Sequence, residues 1–127
     1  MTVITVQMFQ GPILNRPQSK QFWFTPATNQ VLLLLAGSAS CVAPPDYLGI
    51  KPMIDGETIP DPYAPGQFAS ARIFDDGSPN RQTFVRMAVL AKVNKGTRHL
   101  LTLEPLSQST VTDDKDVFAL EIYDVGE

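Results

Sequence analysis

A chain of 127 residues has the length of one domain and can bury a hydrophobic core without disulfides or metals. Its net charge is −3 and its ten basic residues are scattered, which argues against the basic footprint of a nucleic-acid-binding protein. Only 18% of the residues are charged, while 11 are proline and 8 are glycine, a composition typical of an all-β protein with many turns.

The first forty residues predict three strands. Residues 2–9 are rich in β-favouring side chains, and residues 21–25 form a short aromatic strand that Pro26 ends. Residues 30–40 carry an apolar run that is short for a helix and has no capping box before it, so they predict a third strand. Such a run is typical of a strand buried on both faces. In an antiparallel protein that arrangement implies two packed sheets and something beyond them, which points to a partner subunit.

A β-hairpin is predicted over residues 48–59. Asp55-Gly56 forms its turn, because both central residues of a type I′ turn need a positive φ. Pro52 cannot donate a hydrogen bond to a neighbouring strand, so we expect it at a sheet edge or at a bulge.

The second half of the chain predicts four more strands. A rigid loop with three prolines at residues 60–66 precedes the first of them, which covers residues 68–74. The next two cover residues 83–91 and 100–104, and the last covers residues 117–125. The total is eight or nine strands with turns about every ten residues, the spacing of a sandwich or a jelly roll.

The last strand alternates with a period of two, so its side chains divide between two faces. Phe118, Leu120 and Ile122 form a purely apolar face that we expect to meet the core. The opposite face mixes small, aromatic and acidic side chains, namely Val117, Ala119, Glu121, Tyr123 and Val125. We expect another chain to cover this second face.

Four local patterns follow one another between residues 31 and 125. They are an apolar run that ends in Gly37-Ser38, the strand end Ile54-Asp55-Gly56, the spacing Gly96-x-x-His99-x-x-x-Leu103, and Thr112 and Asp114 ahead of the alternating Phe118, Leu120 and Ile122. Their order resembles the small jelly-roll domains of bacteriophage fibre and virion-surface proteins. Those domains are in turn similar to the trimeric complement-type and tumour-necrosis-factor-type heads.

The resemblance implies an all-β fold, a single jelly-roll β-sandwich of about eight to ten antiparallel strands that spans residues 1–127. It also implies a tight homotrimer with a binding rather than a catalytic role. The residues expected at or near the subunit interface are Trp23, Val117, Ala119 and Tyr123.

In this interpretation the chain is a virion-surface or adhesion protein, such as a phage head decoration protein, a fibre tip or a cap. Its partners are copies of itself and either other virion proteins or a cell-surface receptor or glycan, with no nucleic acid and no membrane insertion. We expect no long fibre shaft, because little sequence precedes the domain. The N-terminus lacks the features of a signal peptide, so we expect a virion surface reached by lysis, or else a cytoplasmic or released soluble protein.

A second interpretation is a soluble lectin with a tumour-necrosis-factor-like fold, which would bind glycans at its subunit clefts. Polar and aromatic residues on loops suit sugar binding. The candidate contacts chosen on that ground are Tyr47, Asp61, Tyr63, Asn80 and Arg81.

Enzymatic chemistry has little support in the sequence, and we expect no catalytic residues and no cofactor. Cys41 is the only cysteine and is interpreted as a buried thiol, while His99 is the only histidine and is interpreted as structural. Asp75-Asp76 lies in a stretch of turn-forming residues that explains both carboxylates. No phosphate-binding loop, nucleophile elbow or dinucleotide motif is present.

An acidic loop near the C-terminus is the one possible metal site. Asp113, Asp114 and Asp116 offer oxygen ligands of the kind that calcium prefers. Lys115 interrupts the acidic run, and the glycine and downstream glutamate of an EF-hand loop are missing. We therefore expect a solvated loop and no metal, with these three residues as weak calcium candidates.

Overall fold

The structure is a computed structural model, and it describes residues 1–10, 19–40, 46–75, 82–105 and 117–126. These residues form nine β-strands and no helix, which confirms the predicted all-β class. The strands make two antiparallel sheets that pack against each other as a β-sandwich. Within the described ranges, no helix has the length and apolar character needed to cross a membrane.

The strand boundaries agree closely with those expected from the sequence. The strands are β1 Thr2–Gln10, β2 Lys20–Phe24, β3 Gln30–Ser40, β4 Asp46–Ile54, β5 Glu57–Thr58, β6 Ala71–Asp75, β7 Gln82–Lys92, β8 His99–Pro105 and β9 Val117–Asp124. The strand predicted over residues 68–74 begins later than expected, at Ala71. Its first residues pair within the preceding loop instead, because Phe68 bridges Pro60 and the Ala69 N–H donates to the Ile59 carbonyl at 2.6 Å.

The strands pair in a nested order, in which strands from the two ends of the chain pair with each other and strands nearer its middle pair inside them. Sheet A has the strand order β1-β9-β3-β7, and sheet B has the order β2-β8-β4-β5, with β6 paired to β4 beside β5. The first strand therefore pairs with the last, β2 with β8, β3 with β7, and β4 with β6. The chain passes repeatedly from one sheet to the other, so both sheets are complete only when nearly the whole chain has been used.

The core lies between the inner faces of the two sheets. The fully buried side chains come from β3, β4, β8 and β9, and they are Val31, Leu33, Leu35, Ile50, Leu101, Phe118, Leu120 and Ile122. The apolar face predicted for the last strand is thus confirmed as a core face. Removal from water of each such Leu, Ile or Phe side chain contributes about 1.5–3 kcal/mol to the free energy of folding.

The outer side of β3 is less covered than its apolar sequence predicts. Val31, Leu33 and Leu35 point inward and are buried, but Leu32 and Leu34 on the other side are only half-buried within one chain. The expected burial of both faces is therefore not reached by a single chain.

The predicted hairpin is present and joins β4 to β5. Asp55 has a φ of 53° and Gly56 a φ of 83°, which confirms the pair of positive φ angles that a type I′ turn requires. Pro52 lies where β4 changes partners, because the pairing with β6 ends at Ile50 and the pairing with β5 begins at Met53. The proline occupies this break between partners, although β4 lies in the interior of sheet B.

Gly37 allows β3 to approach β9 more closely than any other residue would. A Cβ atom at this position would collide with the Val117 carbonyl oxygen and would lie 2.6 Å from Cδ1 of Phe118. The Phe118 ring is completely buried and has no room to move away. We expect Gly37→Ala to lower the free energy of unfolding by about 1–3 kcal/mol, as overpacking of a core does. Urea denaturation measures this change.

Ala36→Ser is the matched control for Gly37→Ala. It adds one heavy atom at the neighbouring residue of the same strand, whose side chain is exposed. A change within about 0.5 kcal/mol is expected for it. Equal effects of the two substitutions would contradict the proposed collision.

Candidate functional site

The outer face of sheet A is an apolar surface that crosses four strands. Its side chains are those that point away from the core, and the strand registers align them in rows. Three rows across the sheet define the face: Val3, Tyr123, Leu32 and Leu90; Val6, Glu121, Leu34 and Ala88; and Met8, Ala119, Ala36 and Arg86.

This outer face holds most of the exposed large hydrophobic side chains in the described ranges. Eight such residues are exposed, and five of them lie on this side of sheet A with exposed fractions between 38% and 66%, namely Val3, Val6, Met8, Leu90 and Val117. Hydrophobic residues exposed singly are ordinary, but a contiguous group marks an interaction surface. Among the described residues, the exposed large hydrophobic side chains are therefore concentrated on sheet A rather than on sheet B.

Two opposite charges lie within the three rows. Glu121 is on β9 and Arg86 is on β7, with β3 between them. Two strand spacings place their backbones about 10 Å apart across the sheet. No ion pair joins either side chain to another residue of the described chain. Within the described residues, both charges therefore lack an ion-pair partner.

The structure brings together three of the four residues predicted for the subunit interface. Val117, Ala119 and Tyr123 lie on the outer side of sheet A. Trp23 lies elsewhere, on β2 at the edge of sheet B, where it is 55% exposed and the Arg98 guanidinium lies 4.3 Å from the centre of its ring. Trp23 is thus exposed, but on the sheet opposite to the other three residues.

Two of the residues proposed for sugar binding line one cavity. Asp61 and Tyr63 lie in the loop after β5 and border a cavity of about 340 Å³ together with Arg86 and Leu90. The Tyr63 backbone N–H donates to the Asp61 carboxylate at 2.9 Å, and the Tyr63 side chain is 94% exposed. Because Arg86 and Leu90 also belong to the outer face, the cavity adjoins that face.

The other three sugar-binding candidates are not brought to this cavity by the described residues. Tyr47 is in β4, where its backbone pairs with Phe74, and its side chain lies outside the described part of the structure. Asn80 and Arg81 lie outside the described residues altogether. Arg86 was not singled out from the sequence, because one arginine within an apolar strand gives no local signal.

The buried His99 side chain forms a polar contact that joins the hairpin turn to the start of β8. Its Nδ1 lies 2.5 Å from an Asp55 carboxylate oxygen, and its side chain is buried. Its Nε2 lies 3.2 Å from the Asn94 carbonyl and 3.3 Å from the Asn94 backbone nitrogen. Both ring nitrogens are therefore engaged within the fold, and the His99–Asp55 pair fixes the turn.

The Asp55 carboxylate is held in its charged form by this arrangement. The hydrogen bond from His99 and the Leu100 backbone N–H, which donates at 2.9 Å, hold the pKa of Asp55 below its ordinary value, against a smaller opposing effect of burial. The pair borders a second cavity, of about 770 Å³, which Glu57, Lys92 and Asn94 also line.

The described residues contain no group of three or more His, Cys, Asp and Glu side chains placed to hold a metal ion. The calcium candidates Asp113, Asp114 and Asp116 lie outside those residues, as does Cys41. The expected absence of a metal site and of a catalytic thiol therefore stays a prediction.

Asp55→Asn tests the contribution of the His99–Asp55 pair to stability. Because the pKa of Asp55 is lowered on folding, its stabilisation is present above pH 4 or so and is lost as the pH falls through the folded-state pKa. Asn tolerates the positive φ of the turn. We expect a loss of about 1 kcal/mol in unfolding free energy at pH 6 and a smaller loss at pH 3, where part of the carboxylate is protonated. Urea denaturation at both pH values measures it.

Asp61→Asn serves as the control, since Asp61 is also a turn aspartate with a hydrogen bond to a backbone N–H. We expect its effect to stay within about 0.5 kcal/mol at both pH values. The role given to the carboxylate would be contradicted if the unfolding free energies of the wild type and of Asp55→Asn changed in parallel with pH.

No protein-family model matches this chain, and no curated protein matches its sequence either. A function is therefore inferred from the sequence patterns and the geometry. The geometry combines a β-sandwich, an apolar outer face with two opposite charges, and a cavity beside that face.

Proposed function

We propose that this chain is a non-enzymatic jelly-roll protein that assembles with copies of itself through the outer face of sheet A. The assembly is a homotrimer, and its role is that of a virion-surface or adhesion protein such as a head decoration protein, fibre tip or cap. The observation that carries the proposal is the concentration of exposed apolar side chains on one side of one sheet.

The nested strand pairing supports the jelly-roll part of the proposal. A jelly roll has eight main strands in two four-stranded sheets, built from two Greek keys. It is obtained when a long antiparallel ribbon is folded over, so that its outermost strands pair with each other and its innermost strands do likewise. The pairs β1–β9, β2–β8, β3–β7 and β4–β6 have this arrangement, and the two-residue β5 is an addition at one edge.

The composition of the outer face supports a copy of the same chain as the partner. Apolar side chains gain about 25 cal/mol for each Å² removed from water, so their exposure favours association. A partner with charges of one sign would repel either Glu121 or Arg86. A purely apolar partner would leave both charges without an opposite charge. A second copy brings one acid and one base to the same contact, so each charge can meet its opposite.

Two parts of the proposal, the number of three subunits and the role on a virion, are based on the resemblance to phage virion proteins and to trimeric heads. Rotation about a threefold axis closes a ring of contacts between different surfaces of neighbouring chains. In such a ring one end of each domain attaches to the particle and the loops at the other end face outward. The proposed location is a virion surface, and a soluble assembly in the cytoplasm or outside the cell is the alternative.

The mass of the protein in solution tests the proposed assembly. We expect light scattering over a dilution series to give the mass of three chains, or of a whole multiple of three, for the wild type. Leu34→Asp should abolish the threefold assembly, because Leu34 is at the centre of the outer face and an aspartate there would lie directly opposite Glu121 and bury a second negative charge. Thr102→Asp, on the outer side of sheet B, should leave the mass unchanged. A monomeric wild type would overturn the proposal.

The two charges of the face allow a sharper test by charge reversal. Glu121→Arg alone and Arg86→Glu alone should each weaken association at least tenfold, a change of about 1.4 kcal/mol. The double variant restores the opposite pair and should recover most of that loss. Additive losses in the double variant would show that the two side chains do not meet between copies.

The cavity beside Asp61 and Tyr63 supports the lectin alternative, in which a glycan binds at the subunit cleft. An exposed aromatic ring, a carboxylate and a guanidinium border it, and it adjoins the outer face. A glycan array with the wild type tests this alternative, and binding to no glycan would reject it. If a glycan binds, Tyr63→Ala should reduce the affinity at least tenfold, whereas Trp23→Ala, at the exposed aromatic residue of β2, should not.

A further inference from the structure

The edge strand β1 differs from the other strands at the edges of the two sheets. It forms one end of sheet A and pairs with β9. Its sequence, Thr2–Gln10, contains no charged residue and no proline over nine residues. An edge strand of this kind presents free backbone N–H and C=O groups and has β-favouring side chains, so it is a template for strand addition.

The other edges carry the features that prevent such pairing. The strand β2 has five residues and begins with a lysine, and β5 has two residues, one of them a glutamate. The strand β6 contains an arginine and ends in an aspartate. The strand β7 contains Arg86 and Lys92. Short length and charged side chains protect edges from pairing with other chains, so β1 alone among these strands is open to it.

One irregularity limits the usable length of β1. The register with β9 shifts between Val3 and Thr5, which marks a bulge. From Thr5 onward the pairing runs without interruption to Gln10. The side chains of Val6, Gln7 and Met8 in this regular part are exposed, and among the described residues no strand other than β9 pairs with it.

We propose that β1 pairs antiparallel with β1 of a second copy of this chain, about a twofold axis centred on Gln7. The axis is perpendicular to the sheet, so outer side chains stay on the outer side. It places Val6 of one copy against Met8 of the other, and Thr5 against Phe9. The two A sheets then join into one sheet of eight strands.

Electrostatics, hydrogen bonding and apolar burial all favour this contact between two copies of β1. No like charges meet, because the strand has none. Antiparallel pairing of residues 5–9 with themselves supplies on the order of five hydrogen bonds between the chains, at the low end of the range for protein interfaces. The exposed apolar side chains of Val6 and Met8 are covered at the same time, which adds a hydrophobic contribution.

This inference deepens the self-assembly proposed above and rests on it for the identity of the partner. The two contacts adjoin each other, since the trimer uses the outer face and the twofold contact uses the backbone edge of β1, whose side chains Val6 and Met8 also border that face. A threefold and a perpendicular twofold axis combine into a closed assembly of six chains. Solution mass alone therefore does not separate the two contacts, and a readout from the β1 backbone is needed.

Hydrogen exchange of the β1 amides supplies that readout. In an antiparallel strand, the N–H groups of alternate residues point to opposite neighbours. One alternate set of β1 amides is directed to β9, and the other is directed to the free edge. In the associated wild type we expect both sets to be protected, and we expect the edge set to exchange at least about tenfold faster after dilution to single chains.

Gln7→Lys and its matched control Gln21→Lys test the same contact by substitution. Both glutamines are exposed on edge strands, Gln7 on β1 of sheet A and Gln21 on β2 of sheet B. In the twofold contact two lysines at position 7 face each other and repel. We expect Gln7→Lys to weaken the twofold association at least tenfold and Gln21→Lys to leave it unchanged, with both variants folded by circular dichroism.

The outcomes separate this inference from the proposed trimer. Six chains with both amide sets protected support both contacts, and two chains with both sets protected support the β1 contact while rejecting the trimer. Three chains with one alternate set exchanging rapidly overturn the β1 contact and leave the trimer in place. A monomer at all concentrations, or equal effects of Gln7→Lys and Gln21→Lys, overturns the β1 contact.

Discussion

The pairing of β3 with β9 is the constraint on which the rest of the sandwich depends. Leu33 pairs with Ile122 and Leu35 with Leu120, and all four side chains are buried. A shift of one residue in this register would turn the apolar sets of both strands toward solvent, so the register is strongly fixed. These two strands are the inner pair of sheet A, and β1 and β7 are added on either side of them.

The same register that fixes the core also determines the composition of the outer face. Once Leu33 and Leu35 point inward, Leu32 and Leu34 must point outward, beside Tyr123 and Glu121 of β9. An apolar run without alternation therefore produces a core face and an apolar outer face together. Apolar side chains on the outer side of a strand lower the solubility of the protein unless another chain covers them. This is the physical reason to associate the outer face with assembly rather than with catalysis.

Periodicity and turn chemistry were sufficient to predict the strands, the Asp55-Gly56 turn and the core face of β9, because each depends on residues close together in the chain. Which sheet a strand joins depends on contacts between distant residues. For that reason Trp23 was grouped with Tyr123, although the two lie on different sheets. The sequence does not predict the contact between Asp55 and His99 for the same reason. Asp55 is explained by its place in the turn, and His99 is a single histidine with no nearby residue that suggests a partner.

The nested strand order also has a kinetic consequence. The pair β4–β6 closes the shortest loop among the nested pairs, since Ile50 pairs with Ala71, whereas β1–β9 joins Thr2 to Asp124. The entropy lost on closing a loop rises with its length, and folds dominated by distant contacts fold slowly. We expect the inner pairs to form first and β1 to dock last. The N-terminal strand would then remain unpaired longest during folding, at the time when an uncharged strand is most prone to aggregate.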